Sequence, residues 1–287
     1  MSAGRPRSDA ADLIARGEMR LLGIMPRASN YTFLAEIPGN GEGVRVVYKP
    51  RSGEAPLWDF PDGTLCNREV AAYTLARGLG WPAVPPTVIR DGPHGQGAVQ
   101  LFVESAPSEH FFTLREKRAD DFRRLAAFDV IANNADRKSG HCLLAPDGTI
   151  WAIDHGVCFS TEPKLRTVIW DFVDEPIPPD MLEDLRALKG RLAAGTVRER
   201  LLELMSPAEV SATERSRPVP RTRTGPSLPV ADRVNGPVSR SVPLRRSSVR
   251  MELPPFQRLL EEHRVDVFRF LVASVGPQEA EDCFQET

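Results

Sequence analysis

Residues 129–156 read DVIANNADRKSGHCLLAPDGTIWAIDHG, and this stretch carries the densest group of candidate functional side chains in the chain. It continues an amphipathic pattern, DDFRRLAAFDVIAN, that predicts a helix over residues 120–133. Two apolar runs, HCLLA and TIWAID, then flank a Pro-Asp-Gly turn and predict a β-hairpin. Asp136 lies in the polar loop before the hairpin and Asp154 directly follows its second strand. The hairpin is short enough to bring both carboxylates to one site.

The residues before this stretch predict a sheet and one helix. Strands are expected within residues 20–37, over 44–50, and over 87–90 and 98–104. A helix is expected over residues 69–80, with Asn67 as its cap. After Pro179 the pattern is helical again. The sequence therefore predicts an α+β protein with two lobes, a sheet-rich N-lobe followed by a helical C-lobe.

Composition divides the chain into three parts. Residues 1–211 have the composition of a folded domain. Residues 212–253 are rich in Pro, Arg and Ser, with nine Arg against two acidic residues over 212–250, and are expected to be a disordered linker. Residues 254–287 return to a helical apolar pattern. With no run of about 18 apolar residues and no secretory signal, we expect a cytoplasmic protein without a membrane span.

Four side chains occur in the order that phosphoryl transfer from ATP requires. Lys49 ends a strand and can hold the phosphates, and Glu69 on the next helix can orient it. Asp136 and Asp154 supply two carboxylates, the groups that are needed beside the attacking hydroxyl and at the metal ion. Taken singly, the same residues fit a solvated lysine, a helix-surface charge, an ion pair between Asp136 and Arg137, and an aspartate turn. The functional interpretation rests on all four occurring together.

Four motifs resemble those of the phosphatidylinositol 3-/4-kinase-like superfamily: VVYKP (46–50), NREVAAYTL (67–75), DVIANNADRKSGH (129–141) and WAIDHG (151–156). The resemblance covers roughly residues 12–211 and is closest to the small bacterial members. It is more distant to type II phosphatidylinositol 4-kinases. Its most specific element is the pair of motifs D-R and I-D-x-G, which places Asp136 and Asp154 eighteen residues apart. It implies a bilobal kinase-like fold and transfer of the ATP γ-phosphate to a hydroxyl on a lipid headgroup, a small molecule or a protein Ser or Thr.

The resemblance also implies a role for each motif. Lys49 would contact the ATP phosphates and pair with Glu69, Asp136 would be the catalytic carboxylate, and Asp154 would bind the metal. Further nucleotide contacts would come from a phosphate-covering turn and from the hinge between the lobes, through Ser29, Asn30, Gln100, Phe102 and Val103.

One position departs from the family pattern. Many relatives carry Asn five residues after the catalytic Asp as a second metal ligand, and this chain has His141 there. Mg²⁺ prefers oxygen ligands, whereas imidazole suits other divalent ions. Either His141 is a ligand and the preference has moved towards Mn²⁺, or it is not a ligand. In the second case the protein is a slow enzyme or a nucleotide-binding pseudokinase.

The C-terminal segment resembles the beginning of region 2 of an extracytoplasmic-function sigma-70-type factor. The specific part is the A-E-D-x-x-Q-E-T run over residues 280–287. This resemblance implies a contact with RNA polymerase and offers a transcription-linked alternative function. Direct reading of promoter DNA is not expected, because the sequence does not continue into the helices that read it. A generic amphipathic tail is the other interpretation.

Overall fold

The computed structural model describes residues 7–26, 28, 30–39, 43–81, 84–172 and 175–216. All of them fall within one compact unit, residues 1–229. The predicted tail over 254–287 and nearly all of the predicted linker lie outside the described residues. The sigma-like resemblance and the polymerase contact therefore stay predictions.

The first lobe is a five-stranded antiparallel sheet preceded by a helix. The spatial order of its strands is β1-β2-β3-β5-β4. The predicted strands are confirmed, and the helix was not predicted from the sequence. The elements are α1 (Arg7–Arg16), β1 (Arg20–Ile24), β2 (Phe33–Ile37), β3 (Val44–Pro50), β4 (Thr87–Gly92) and β5 (Gly95–Leu101).

Helix α2 (Leu65–Leu79) connects β3 to β4. The prediction that Asn67 caps it is wrong, because the helix begins two positions earlier. Its first N–H groups are satisfied by a carboxylate from the preceding loop: Glu54 accepts from the backbone N–H of Leu65 at 3.0 Å and of Cys66 at 2.7 Å. An acid at a helix N-terminus also interacts favourably with the helix dipole.

The second lobe consists of helices and one hairpin. The predicted helix after the N-lobe, the hairpin and the helical C-terminal part are confirmed. The elements are α3 (Phe111–Leu114), α4 (Ala119–Ala132), β6 (Cys142–Leu144), β7 (Ile150–Ala152), α5 (Pro179–Ala193), α6 (Thr196–Leu204) and α7 (Pro207–Arg215). Helix α7 starts with a capping box between Ser206 and Glu209 and continues past residue 211, the predicted end of the folded domain. In the part of the chain that the structure describes, no helix has the length and apolar character needed to cross a membrane.

Two hydrophobic clusters form the interior. The smaller one lies on the sheet and includes Ile14, Val46 and Tyr48. The larger one joins α2 to the helices of the second lobe and includes Leu75 and Leu188. Strand β3 therefore belongs to one cluster and α2 to the other, so side chains that meet between β3 and α2 meet at the junction of the two cores. The fold is α+β, with a sheet-rich lobe followed by a helical lobe.

Candidate active site

Lys49 lies at this junction and makes two ion pairs. Its position near the end of β3 points the ammonium group towards α2 and towards the end of β7. Nζ donates to Glu69 Oε1 at 2.5 Å and to Asp154 Oδ1 at 2.9 Å. Burial lowers the pKa of Lys49, but the carboxylates of Asp154 and Glu69 outweigh it and the pKa is raised. Lys49 is therefore a paired ammonium and not a solvated surface lysine.

Glu69 is a buried carboxylate with two different partners. It is 2% exposed, so the alternative of a helix-surface charge is wrong. While Oε1 accepts from Lys49, Oε2 accepts from the backbone N–H of His155 at 3.1 Å. Burial raises the pKa of Glu69 and the charge of Lys49 opposes that rise. One side chain on α2 thus holds both the β3 lysine and the segment that follows β7.

Asp154 faces solvent more than its partners do. Its side chain is 52% exposed, and the ammonium of Lys49 lowers the pKa of its carboxyl group. Oδ1 is the oxygen bonded to Lys49, while Oδ2 lies 3.5 Å from His141 Nε2. Two carboxylates here share one ammonium, which leaves negative charge that a divalent cation would offset. The oxygen chemistry of Asp154 therefore fits a Mg²⁺ or Mn²⁺ ion.

Asp136 lies in the loop after α4, where its backbone is fixed by a neighbour. Asn134 accepts from the Asp136 N–H at 3.0 Å through its side-chain oxygen. Lys138 places its Nζ 3.9 Å from Asp136 Oδ2. The motifs give no role to Lys138, and its position two residues after Asp136 is the one sequence signal for it. The loop thus presents a carboxylate and an ammonium side by side.

Arg137 ties the Asp136 loop to the Asp154 segment. The sequence left open an ion pair between Asp136 and Arg137, but the partner of Arg137 is Asp129 on α4. Both side chains are 0% exposed, and Arg137 donates to the Asp129 carboxylate at 2.9–3.2 Å. Its remaining donors reach the Ile153 carbonyl at 3.0 Å and His155 Nε2 at 2.7 Å. Residues adjacent to Asp136, the predicted catalytic carboxylate, and to Asp154, the predicted metal ligand, are therefore in direct contact.

His141 adjoins Asp154, and its role as a second metal ligand stays a prediction. Its Nε2 lies 3.5 Å from Asp154 Oδ2, while Nδ1 accepts from the Lys138 N–H at 3.4 Å. Burial lowers the pKa of His141 to about 4, so the imidazole is neutral at pH 7. A neutral imidazole that accepts at Nδ1 carries its proton on Nε2. Among the described residues, no three His, Cys, Asp or Glu side chains form a metal-ligating group.

Two of the predicted hinge residues already use hydrogen-bonding groups for contacts to the sheet. The Gln100 side chain is buried and donates to Thr87 Oγ1 at 2.9 Å. The N–H of Phe102 donates to the Arg45 carbonyl at 3.0 Å. Gln100 is also paired with strands on both sides, because β5 lies between β3 and β4, so an adenine ring bound here would depend on the carbonyl group of Phe102 or the backbone of Val103. The adenine contacts of all three stay predictions.

The predicted phosphate-covering turn connects β1 and β2. Asn30 Oδ1 accepts from the Ala55 N–H at 2.7 Å, and the N–H of Tyr31 donates to the Gly53 carbonyl at 3.1 Å. These bonds attach the turn to the segment that follows β3 and Lys49. Ser29 lies outside the described residues, so its predicted nucleotide contact, like that of Asn30, stays a prediction.

Comparison with known proteins agrees with this fold. The family model for phosphatidylinositol 3- and 4-kinases matches residues 90–203. Protein Rv2133c of Mycobacterium tuberculosis is 38% identical over 264 residues, which cover 75% of this chain and 95% of that protein. The chain therefore belongs to the phosphatidylinositol 3-/4-kinase-like family, among its small bacterial members, as the motifs predicted. It carries a kinase-family domain.

More distant similarities extend to plant proteins and to solved kinase structures. Phosphatidylinositol 4-kinase gamma 4 of Oryza sativa subsp. japonica is 28% identical over 177 residues, covering 54% of this chain but 29% of that protein. The chain therefore spans less than a third of this plant relative. The Golgi casein kinase with Mn/ADP bound is 16% identical with a TM-score of 0.46, covering 73% of each chain. The Helicobacter pylori proinflammatory kinase CtkA is 12% identical with a TM-score of 0.41, covering 71% of this chain and 93% of that one.

Proposed function

We propose that this protein is an ATP-dependent phosphotransferase that moves the γ-phosphate of ATP to a hydroxyl group. The observation that carries the proposal is the placement of Lys49. Its ammonium contacts both Glu69 and Asp154, and Arg137 ties the Asp154 segment to the loop that presents Asp136. Phosphoryl transfer needs positioning and charge neutralisation more than covalent chemistry, and this arrangement supplies both.

Each side chain has a distinct part in the proposed reaction. The Lys49 ammonium would bind phosphate oxygens, with Glu69 fixing its direction. Asp136 would accept the proton of the acceptor hydroxyl, and the Lys138 ammonium beside it would stabilise negative charge on the transferred group. Asp154 would hold a Mg²⁺ or Mn²⁺ ion, which when bound neutralises charge on the phosphates.

The acceptor remains open among a lipid headgroup, a small polyol and a protein Ser or Thr. The family includes enzymes that act on lipids, and the proposal does not depend on which acceptor is used. Hydrolysis of ATP by water is the simplest reaction of the same site, so it offers a test that needs no acceptor.

The test is metal-dependent ATP turnover by the full chain and three variants. Asp136→Asn and Asp154→Asn keep the side-chain size and remove the charge. Asp62→Asn makes the same change at an exposed loop position and serves as the matched control. We expect turnover in the wild type and the control and a loss of at least about 100-fold in the two site variants, in the range found when a catalytic group is removed. Equal rates in all four proteins would end the proposal.

A nucleotide-binding pseudokinase is the second candidate, and His141 favours it. In the observed hydrogen-bond arrangement its Nε2 carries the proton, so metal binding through Nε2 would require the other tautomer and the loss of the 3.4 Å bond from the Lys138 N–H. Replacement by Asn provides an amide oxygen at the position where many relatives have one. If His141 only weakens the site, His141→Asn raises Mg²⁺-dependent turnover; if the site is inactive for other reasons, nucleotide binds but turnover stays at background.

A further inference from the structure

The backbone of Asp154 adopts a conformation that is uncommon for residues other than glycine, although aspartate tolerates it better than most. Its φ is 62°, in the left-handed region, where a side chain crowds the following carbonyl. Such a conformation persists only when surrounding contacts hold it. In this conformation the carboxylate reaches the Lys49 ammonium at 2.9 Å. The contacts that hold the backbone therefore also determine where the carboxylate lies.

The peptide groups on both sides of Asp154 are bound. Before it, the Ile153 N–H donates to the His141 carbonyl at 3.0 Å, and the Ile153 carbonyl accepts from Arg137 at 3.0 Å. After it, the His155 N–H donates to Glu69 at 3.1 Å. Arg137 and Glu69 thus approach the same short segment from the two lobes.

The side chain of His155 completes this arrangement on the Arg137 side. It is 0% exposed, and its Nε2 lies 2.7 Å from Arg137 Nη2. A guanidinium can only donate, so the imidazole accepts at Nε2 and carries its proton on Nδ1. The ring packs edge-on against Phe128, with centroids 5.5 Å apart. Burial and the charge of Arg137 lower the pKa of His155, which agrees with a neutral ring.

A histidine at position 155 would lower the stability of the fold if its only role were to fill space in the interior. Its Nδ1 is buried and has no hydrogen-bond partner among the described residues. An unpaired buried donor is unfavourable, and a phenylalanine would fill similar space without one. What the imidazole adds over an apolar ring is the acceptor for Arg137.

We propose that His155 is a positioning residue that, by accepting from Arg137, holds Asp154 in the left-handed conformation from which its carboxylate reaches Lys49 and a divalent cation. The part of this inference that concerns the cation rests on the proposed function, whereas the part that concerns the Asp154 backbone does not. His155 itself touches neither nucleotide nor metal in this role and carries no proton between them.

The test compares three variants of the full chain. His155→Phe keeps a planar ring and removes the acceptor. His155→Gln returns an amide oxygen at about the distance of Nε2 and is the conservative rescue. Trp81→Phe removes a 2.8 Å hydrogen bond from a buried ring to Asp184 on α5, outside the Arg137 network, and so controls for general loss of stability.

The main readout is the ratio of ADP affinities with Mn²⁺ and with EDTA, measured by calorimetry. This ratio isolates the contribution of the cation and does not depend on turnover. We expect His155→Phe to reduce the ratio by about 10–100-fold, as found for residues that orient metal ligands. His155→Gln should restore most of it. Trp81→Phe should lower the melting temperature and leave the ratio unchanged.

Two outcomes would overturn the inference, and they differ from failure of the proposed function. An unchanged ratio in His155→Phe would show that His155 does not position Asp154 for the cation. A crystal structure of His155→Phe provides the second measurement: Asp154 with φ near 62° and its carboxylate still 2.9 Å from Lys49 would also refute it. If the wild type shows no effect of Mn²⁺ on ADP binding, the proposed function fails, and the crystal structure alone decides the backbone role.

Discussion

Removal of the Asp129 carboxylate provides a direct test of the network that joins the two aspartate segments. Asp129 and Arg137 are 0% exposed, and the carboxylate also accepts from Asn134 at 2.9 Å and Thr167 at 3.0 Å. Asp129→Ala would leave a buried guanidinium without its counter-charge. Breaking a buried ion pair by removing one partner costs about 3–5 kcal/mol in the free energy of unfolding.

This magnitude converts into a large shift of the thermal transition. For a folded unit of this size, 1 kcal/mol corresponds to roughly 2–4 °C, so we expect the melting temperature to fall by roughly 6–20 °C. The matched control is Asp180→Ala, because Asp180 pairs with Arg124 and these side chains are 61% and 37% exposed. An exposed pair contributes about 0–1 kcal/mol. Calorimetry and denaturant unfolding measure both variants.

The double variant Asp129→Leu/Arg137→Met separates stability from function. Apolar side chains in place of both members of a buried pair are often close to neutral for stability. We therefore expect the double variant to recover part of the lost melting temperature, and not all of it, because Asn134 and Thr167 still lose their acceptor. Its turnover should stay low, because the Arg137 contacts to Ile153 and His155 are gone. If Asp129→Ala loses no more stability than Asp180→Ala, the reasoning about this network is wrong.

Three further predictions concern other parts of the chain. Burial opposes ionisation of Glu209, but hydrogen bonds from Ser206 and the charge of Arg68 outweigh it and lower its pKa. The stability that the ionised Glu209 contributes is present above its ordinary pKa of 4.5 and is lost as the pH falls below that value. The excess stability of the wild type over Glu209→Gln should therefore shrink on acidification below pH 4.5. A difference that stays constant with pH would contradict this prediction. Gly97 lies against β3, where an added Cβ would be 2.4 Å from the Lys49 carbonyl oxygen. Gly97→Ala should therefore lower the free energy of unfolding by about 1–3 kcal/mol. The control is Gly190→Ala on α5, where an added Cβ meets open space and no loss is expected. If the C-terminal segment contacts RNA polymerase as its resemblance implies, the full chain should retain the polymerase in a pull-down at low salt and a chain ending at residue 216 should not. Equal retention by the two chains would refute this prediction.

Much of the fold follows from local patterns. The strands, α4 and the hairpin β6–β7 were predictable because alternating and helical periodicities report directly on which face is buried. The site was predictable to the extent that each functional side chain lies at the end of such an element: Lys49 near the end of β3, Asp136 just after α4, and Asp154 just after β7. Position at an element's end is a local property, so a single sequence reveals it.

The contacts that fix these side chains were not predictable in the same way. Glu54 caps α2 from a separate loop, which no motif at the helix start indicates. The partner of Arg137 is Asp129, one of several acids within reach, and choosing it requires knowing that both face the interior. In the sequence Glu69 likewise resembles an exposed helical charge, and only the packing of the second lobe against α2 shows that it is buried. Pairings of this kind depend on which surfaces tertiary packing removes from water.

The site also shows how a D-R pair divides its roles between neighbouring positions. Because Asp136 and Arg137 point in different directions, the aspartate is presented near Lys138 while the arginine is fully buried on Asp129. Arg137 then reaches the segment around Asp154, and Glu69 reaches the same segment from α2 while holding Lys49. A movement of either lobe that breaks one of these contacts must also disturb the other, because they share three consecutive residues. The positions of Lys49 and Asp154, the lysine and the aspartate of the proposed site, are therefore expected to form or be lost together, as a single cooperative arrangement.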